Sequence, residues 1–338
     1  MKVALFDQSH KLTVVDKDLR PLKPDEILVR IQVCGVCGTD VHIVDGSSRS
    51  TPPVVLGHEF SGLVESVGNN VLSVKPGQKV AVDPNISCGA CYTCQRGEPH
   101  LCFNLRALGV DIDGGMAQYC IAPGRQAYVL PEGFPEAAAP FVEPVSCVVH
   151  GVDRAGIRPG DTVVIIGAGT IGLLMLQLVR HAGAARTIVV EPREMKRELA
   201  KALHADELID PSAVDPLKAV QKITHHGADV VIECAGIAQT ALLAVEMARR
   251  GGTVELFGVC SVGATIPLEP NLVYSRELTI VGSYINPNTF SRSIALLQQG
   301  VVRVDQFQVD RFPLNEVHEA LRCQREGRTI KSMIVPSL

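Results

Sequence analysis

Residues 161 to 191 constrain the fold of this chain more than any other stretch. The apolar run DTVVII (161–166) predicts a buried strand, and the glycine-rich segment GAGTIG follows it directly. An apolar helical pattern comes next and stops at Gly183, and TIVVE then predicts a second strand that ends at Glu191. A GxGxxG between a strand and a helix, with an acid about twenty residues further on, is the dinucleotide-binding fingerprint. The residues that would form its turn are Gly167, Gly169, Thr170, Ile171 and Gly172.

This fingerprint also indicates which dinucleotide would bind. The glycines let the backbone approach a pyrophosphate, whose charge rests on the helix N-terminus. We expect Glu191 to accept hydrogen bonds from the ribose 2′-hydroxyl, which favours NAD over NADP. Arg193 and Lys196 leave room for NADP, because a nearby cation can hold a 2′-phosphate. Later strands at ADVVIECAG, TVELFGV and LTIVGSY alternate with helices, which predicts a doubly wound parallel sheet of the Rossmann type.

A second region with chemical potential lies near the N-terminus, where VCGVCGTDVH spans residues 33 to 42. It brings together the thiol of Cys37, the hydroxyl of Thr39 and the imidazole of His42. A thiolate binds zinc, and a hydroxyl and an imidazole can pass a proton to water. His58 and Glu59 follow in an apolar run. Alone they would be read as a surface pair, but beside the upstream thiol they are predicted to face a cleft.

Four cysteines with the spacing C-x2-C-x2-C-x7-C form a separate group, in a lobe predicted to cover residues 85–105. Four clustered thiolates are typical of a closed, tetrahedral structural zinc site. An iron–sulfur run is the alternative, but the last gap is too long and Phe103 stands where that motif has proline. We expect the metal to supply folding energy to this lobe. The predicted ligands are Cys88, Cys91, Cys94 and Cys102.

Composition excludes several classes of protein. The chain has 338 residues, enough for about two domains, and its net charge of -4 provides no basic surface for nucleic acid. No apolar run reaches the roughly 18 residues of a membrane span, and the first residues lack an apolar secretory core. The 11 cysteines are an odd number, which argues against a fully paired disulfide framework. These features predict a cytoplasmic protein with no membrane partner.

Glu143 is the one site candidate that the residues alone leave undecided. It precedes Pro144 and an apolar helical pattern. It could be a solvated helix start or a carboxylate directed into a cleft.

With these motifs in place, the chain resembles the zinc-dependent medium-chain alcohol dehydrogenases over essentially its whole length. The resemblance rests on CGVCGTDVH, GHE, the four-cysteine lobe, GAGTIG and the form of the C-terminal tail. Within that family the chain is most similar to dehydrogenases of sorbitol, xylitol, arabitol and galactitol phosphate. These polyol enzymes carry the glutamate of an E-P motif, as at Glu143, where dehydrogenases of simple alcohols carry cysteine.

The resemblance implies a fold and a division of the chain. It implies a β-rich, GroES-like catalytic domain over residues 1–147 that includes the zinc lobe. An NAD-binding Rossmann domain would cover 148–285, and residues 286–338 would return to the catalytic domain. It further implies a homodimer or homotetramer, built edge to edge through strands of the nucleotide domain.

The resemblance also implies the chemistry. Each subunit would hold two zinc ions, one structural and one catalytic. Cys37 and His58 would hold the catalytic zinc together with a carboxylate. Glu59 and Glu143 would share that role, one as a direct ligand and the other through water or ligand exchange. A secondary alcohol of a polyol would pass a hydride to NAD and become a ketose. Its proton would leave through Thr39, the ribose 2′-hydroxyl and His42.

Two departures from sorbitol dehydrogenase bear on the substrate. Ile285 and Ile43 stand where that enzyme has an arginine and a tyrosine, which argues against sorbitol itself. L-Threonine 3-dehydrogenase is one alternative, and a polyol-phosphate dehydrogenase that uses Arg49, Arg106 or Arg292 is another. A non-catalytic NAD(P)-binding sensor or structural protein is the alternative from a different class. Loss of a zinc ligand would mark such a protein, and none is missing here.

Overall fold

The computed structural model describes all of residues 1–338, and the chain divides into two compact units. The first unit comprises Met1–Pro144, Pro287–Gln298 and Phe307–Leu338. The second comprises Val145–Asn286 and Gln299–Gln306, so one short piece of the C-terminal tail groups with the second unit. None of the helices combines the length and the apolar character that crossing a bilayer requires.

Strands dominate the first unit, as the resemblance implies. Up to residue 141 its helices are α1 (Gly38–Val44) and α2 (Tyr92–Gln95). The strands are β1 (Lys2–Phe6), β2 (Leu12–Asp16), β3 (Glu26–Gly35), β4 (Val54–Val55), β5 (Glu59–Val67), β6 (Lys79–Val82), β7 (Asn85–Ile86), β8 (Arg106–Ala107), β9 (Tyr119–Pro123) and β10 (Ala127–Val129).

The second unit alternates strands and helices. Its central strand is buried from Val163 to Ile166, which matches the apolar sequence of those residues. The strands are β11 (Thr162–Ile166), β12 (Arg186–Val190), β13 (Glu207–Ile209), β14 (Ala228–Glu233), β15 (Ala248–Leu256) and β16 (Thr279–Gly282). The helices from residue 142 onward are α3 (Val142–Ala155), α4 (Thr170–His181), α5 (Glu194–Ala202), α6 (Pro216–Thr224), α7 (Ala238–Met247) and α8 (Pro270–Arg276).

The sheet of the second unit confirms the predicted doubly wound fold. Its strands are parallel and run in the order β13-β12-β11-β14-β15-β16. Ligands of such sheets bind at the carboxyl ends of the strands, where the strand order reverses. One helix ends inside a run of helix-forming residues. Within TALLAVEMARR the helix α7 ends at Met247, because Ala248 already pairs with Ala228 of β14.

The tail contributes α9 (Phe290–Gln298), β17 (Val309–Phe312), α10 (Val317–Glu326) and β18 (Lys331–Ile334). The largest sheet of the first unit has the order β10-β6-β5-β3-β18-β17, and β9 also pairs with β3. The final strand of the chain therefore lies beside β3, and its residue Met333 pairs with Gly35. Gly35 also pairs with Glu59 on the other neighbouring strand, so three strands meet at the end of β3.

Candidate active site

The end of β3 and the start of β5 bring the predicted metal ligands together. Cys37 follows β3 as the N-cap of α1, and His58 precedes Glu59, the first residue of β5. The ligand atoms of Cys37, His58 and Glu59 all lie within 4.8 Å of one another. Gly35 opposite Glu59 leaves the room that this requires, because a Cβ there would fall inside van der Waals contact of Glu59 and Lys331.

Asp40 faces both Cys37 and His58, and it was not predicted as a site residue. Its Oδ2 accepts a hydrogen bond of 2.8 Å from the backbone N–H of Cys37, and its Oδ1 lies 3.6 Å from Nδ1 of His58. Burial alone would lower the pKa of His58, but the charges of Asp40 and Cys37 raise it well above its usual value. An acid three residues after a helix N-cap is a capping-box pattern, and that was the available sequence signal.

The residues present fit a zinc ion. Asp40 Oδ1 and His58 Nδ1 are buried and neither makes a hydrogen bond, although both face other polar groups. A thiolate, an imidazole and a carboxylate form a donor set of the kind that zinc takes in open, catalytic sites. A carboxylate behind a ligating histidine is the usual support for such an ion.

Lys331 is the second site residue that the sequence did not reveal. Its ammonium forms an ion pair with Glu59 Oε2, and the two side chains are 3% and 2% exposed. Burial lowers the pKa of Lys331, but the charges of Glu59, Cys37 and Glu143 outweigh burial and raise it. The pairing could not be anticipated because Lys331 is remote in sequence and is brought in only by β18.

Glu143 lies near the start of α3, buried and within electrostatic reach of Lys331. The group of three ligand atoms does not include it. The structure thus places one of the two predicted glutamates, Glu59, directly among the ligands and the other close by.

The predicted proton-transfer residues lie on one short helix. The Cys37 thiol donates to Thr39 Oγ1 across 3.7 Å. His42 follows three residues later on α1, so both side chains lie on the same face. His42 is partly exposed, and its Nδ1 lies 3.1 Å from Ser47 Oγ. The face of α1 therefore leads from the ligand group towards solvent.

The four cysteines of the lobe meet as predicted. Their sulfur atoms all lie within 4.8 Å of one another, and no cysteine in the chain is in a disulfide. The Thr93 hydroxyl, 3.3 Å from Cys91 Sγ, is the main cause that lowers the pKa of that thiol to about 5. Cys102 Sγ accepts a backbone hydrogen bond of 3.2 Å from Cys88. Converging sulfurs that accept backbone hydrogen bonds fit a tetrahedral zinc site.

The glycine-rich turn of the second unit joins β11 to α4. Gly167 has a φ of +97°, and Gly169 is the N-cap of the helix. Glu191, directly after β12, is 5% exposed. Its Oε2 accepts a hydrogen bond of 2.8 Å from Ala168 N–H, and its Oε1 accepts one of 2.9 Å from Arg193 N–H. The acid predicted to hold ribose thus also braces the turn.

A zinc-type ligand group together with a dinucleotide turn defines a nucleotide-dependent oxidoreductase. Residues 23–132 match the model of the alcohol dehydrogenase GroES-like domain, and residues 170–299 match that of the zinc-binding dehydrogenases. The chain belongs to the zinc-dependent medium-chain alcohol dehydrogenase family, and the GroES-like assignment of its first domain is confirmed.

Similarity to individual proteins extends over nearly the whole chain. D-Arabinitol dehydrogenase 1 of Uromyces fabae is 33% identical over 342 aligned positions, which cover 100% of this chain and 97% of the relative. L-Threonine 3-dehydrogenase of Bacillus licheniformis is 34% identical over an alignment that covers 92% of this chain and 91% of the relative. A solved structure described as a zinc-binding dehydrogenase from Sinorhizobium meliloti 1021, bound to NADP, superposes with a TM-score of 0.95, 39% identity and 99% coverage of each chain.

Proposed function

We propose that this protein oxidises a secondary alcohol of a polyol to the ketone, with zinc at the ligand group and NAD or NADP as hydride acceptor. The observation that carries the proposal is the convergence of Cys37, His58 and Glu59. Asp40 bonds to the backbone of Cys37, and Lys331 pairs with Glu59. The similarity to a D-arabinitol dehydrogenase along the full chain supports a polyol as the substrate class.

Cys37, His58 and Glu59 would hold the zinc, which would supply a Lewis acid that lowers the pKa of an alcohol, and the dinucleotide would supply the hydride acceptor. The protein itself sets the charge of the site. Cys37 and Glu59 bring two negative charges, and Lys331 offsets part of that charge through its ion pair with Glu59. His58 completes the set and would bind the zinc as a neutral imidazole, with the carboxylate of Asp40 3.6 Å from its Nδ1.

The alcohol proton needs an exit, and α1 supplies the groups for one. The Thr39 hydroxyl lies beside Cys37 Sγ and can both accept and donate a proton. His42 stands one turn further along the helix and is partly exposed, so it can deliver the proton to solvent. The imidazole is held in place by Ser47. We therefore assign Thr39 and His42 to proton transfer.

L-Threonine is the second candidate substrate, because an L-threonine 3-dehydrogenase is as similar to this chain as the polyol enzyme is.

A polyol phosphate has less support, because two of the arginines that could bind its phosphate have other partners. Arg49 is bound to Asp111 at 3.2 Å, and Arg106 donates to the backbone carbonyl of Asp111 at 3.2 Å. Both guanidinium groups therefore hold a loop together.

The test is reduction of NAD and NADP across a substrate panel, on protein whose zinc content has been measured. The panel contains D-arabinitol, xylitol, sorbitol, galactitol 1-phosphate, a simple secondary alcohol and L-threonine. Turnover of one or more free polyols is the expected result. Turnover of L-threonine alone would establish the second candidate. No turnover of any compound by zinc-loaded protein would contradict the proposed function.

A matched pair of variants ties the activity to the site. Cys37→Ser should abolish turnover and remove one zinc, because it replaces a thiolate ligand. Cys260→Ser changes a partly exposed cysteine of the second unit that belongs to neither of the two ligand groups and should leave turnover unchanged.

A further inference from the structure

A cavity of about 580 Å³ lies within the first unit, between the strands of its largest sheet and the segment that follows β10. It is lined by none of the metal ligands and by no residue of the glycine-rich turn. Its volume is in the range of sites that hold one small molecule. The walls are mostly apolar and are formed by Val33, Val129, Leu130, Pro131, Phe134 and Ala139.

A β-bulge directs the amide of Gln32 into this cavity. Ile31 pairs with Gly62 and Val33 pairs with Ser61, so Gln32 is an extra residue of β3 that has no partner on β5. Neighbouring residues of a regular strand point to opposite faces, yet both Gln32 and Val33 line the cavity. A bulge re-aims a side chain in this way and is common next to functional sites.

Two neutral polar groups in the cavity have no hydrogen-bond partner from a side chain or the backbone. One is the half-buried amide of Gln32, and the other is the hydroxyl of Ser61, a residue that is 2% exposed. The third neutral group, the amide of Gln78, is held in its own loop because its Oε1 accepts from Lys75 N–H at 2.7 Å. Gln32 and Ser61 can therefore both donate to and accept from a ligand.

The charged groups of the cavity lie at its rim and select against ions. Lys79 Nζ is 3.3 Å from Glu136 Oε1, and both side chains are exposed. Glu132 adds a second exposed carboxylate to the rim. An anion would thus meet two carboxylates and a cation that is already paired, whereas a cation would find no charged group among the buried lining residues. The lining favours an uncharged ligand.

We propose that this cavity is a second binding site of the protein, for one uncharged and mostly apolar molecule that carries a hydroxyl or carbonyl group. The apolar walls hold the body of the ligand, and Gln32 and Ser61 bond its oxygen. A polyol does not suit this site, because most of its hydroxyl groups would face apolar walls without partners. The ligand class therefore differs from that of the substrate under the proposed function.

The probe is 2-naphthol, which has an apolar body and one hydroxyl group. The chain contains no tryptophan, so the probe can be excited selectively and its binding followed by fluorescence anisotropy. Zinc-loaded full-length protein should bind 2-naphthol with a Kd below about 1 mM, as expected for a ligand of this size in a formed cavity. Naphthalene-2-sulfonate, which has the same body and a negative charge, should bind about tenfold more weakly or worse.

Two variants locate the bound probe. Val33→Phe places a ring in the cavity and should weaken binding by about tenfold or more, whereas Val15→Phe changes a half-buried valine of β2 outside the cavity and should not. Gln32→Leu keeps the volume but removes the amide, so it should weaken binding about three- to tenfold. Gln8→Leu, at an exposed position outside the cavity, is its control. Thermal midpoints show that each variant is folded.

Several results would overturn the proposal. Wild-type protein that does not bind 2-naphthol would do so, as would a sulfonate that binds as tightly as the naphthol. Unchanged binding in both Val33→Phe and Gln32→Leu, with loss of binding in Cys37→Ser, would place the probe at the metal ligands instead. Binding that disappears as the protein self-associates would assign the cavity to a second copy of the chain. Retained binding in Cys37→Ser, with the losses expected for the two cavity variants, would establish the second site.

Discussion

Lys331 and Glu59 form an ion pair inside the first unit, with both side chains almost completely removed from solvent. β18 carries the lysine and β5 carries the glutamate, and Gly35 of β3 lies between them in the sheet. Glu59 is also one of the three converging metal ligands. The carboxylate of Glu59 therefore pairs with a cation of the protein, Lys331, and is also placed to bind the metal.

Lys331→Met should destabilise the metal-free protein strongly, because it leaves the carboxylate of Glu59 buried without its cation. Removing one partner of a buried pair typically costs about 3–5 kcal/mol. Zinc should recover part of this loss by pairing with the same carboxylate. Denaturant midpoints measured with and without zinc would show the difference. Lys331→Arg is the control that retains the charge. Equal stability of Lys331→Met and wild type in the metal-free state would refute the role given to this pair.

Asp40→Asn should weaken zinc binding at the active site while leaving the four-cysteine lobe loaded. The carboxylate fixes the Cys37 backbone and faces His58, and loss of such supporting groups typically reduces metal affinity about 10–100-fold. Competition with a chromophoric chelator, followed by metal analysis, measures this directly. Asp45, at the other end of α1, offers Asp45→Asn as a control. An unchanged affinity in Asp40→Asn would remove Asp40 from the site.

The sequence was sufficient wherever the relevant signal is local. The GAGTIG turn, the thiol stretch and the four-cysteine spacing each specify their structure within a few neighbouring residues, and the structure places those residues together. Lys331 could not be predicted, since its partner Glu59 is reached only through the pairing of β18 with β3 and of β3 with β5.

Glu191 shows a second limit of sequence reasoning. The fingerprint correctly marks an acid at the end of β12, but it does not reveal that both oxygens are already bonded to the backbone. Likewise the charges of Lys196 and Arg197 are identical in the sequence. Only the contacts distinguish the arginine that is fully paired from the lysine that is not.

His42→Ala should slow turnover, because the face of α1 would no longer offer a group that carries the proton from Thr39 to water. The defect should diminish as the pH rises and when imidazole is added to the buffer. Steady-state rates with and without imidazole test this. His181→Ala on α4 should show no rescue, since it lies in the second unit. A variant at position 42 with an unchanged rate and pH profile would exclude His42 from proton transfer.

Cys91→Ser should reduce stability more than chemistry. The lobe has short elements and obtains its order from the four converging sulfurs, so losing one ligand should release its zinc. Metal content should fall by one zinc per chain, and the thermal midpoint should fall with it. Cys323→Ser is the matched control, because that buried cysteine lies on α10 and belongs to neither of the two ligand groups. A variant that loses zinc without losing stability would contradict a structural role.

Glu255 should make the stability of the second unit fall as the pH rises. It lies fully buried on β15, neither oxygen has a hydrogen bond, and burial raises its pKa from 4.5 to about 8. Between these values the folded protein holds a proton that the unfolded chain releases, so stability decreases with pH through this window and levels off above it. Each unit of pKa corresponds to about 1.4 kcal/mol, which gives a total of about 3–5 kcal/mol.

Glu255→Gln should remove most of this dependence, and Glu255→Leu should also raise stability at neutral pH. Denaturation curves between pH 5 and pH 9 measure both effects. Curves for wild type and Glu255→Gln that keep the same separation at every pH would show that this carboxyl group does not titrate as its burial requires.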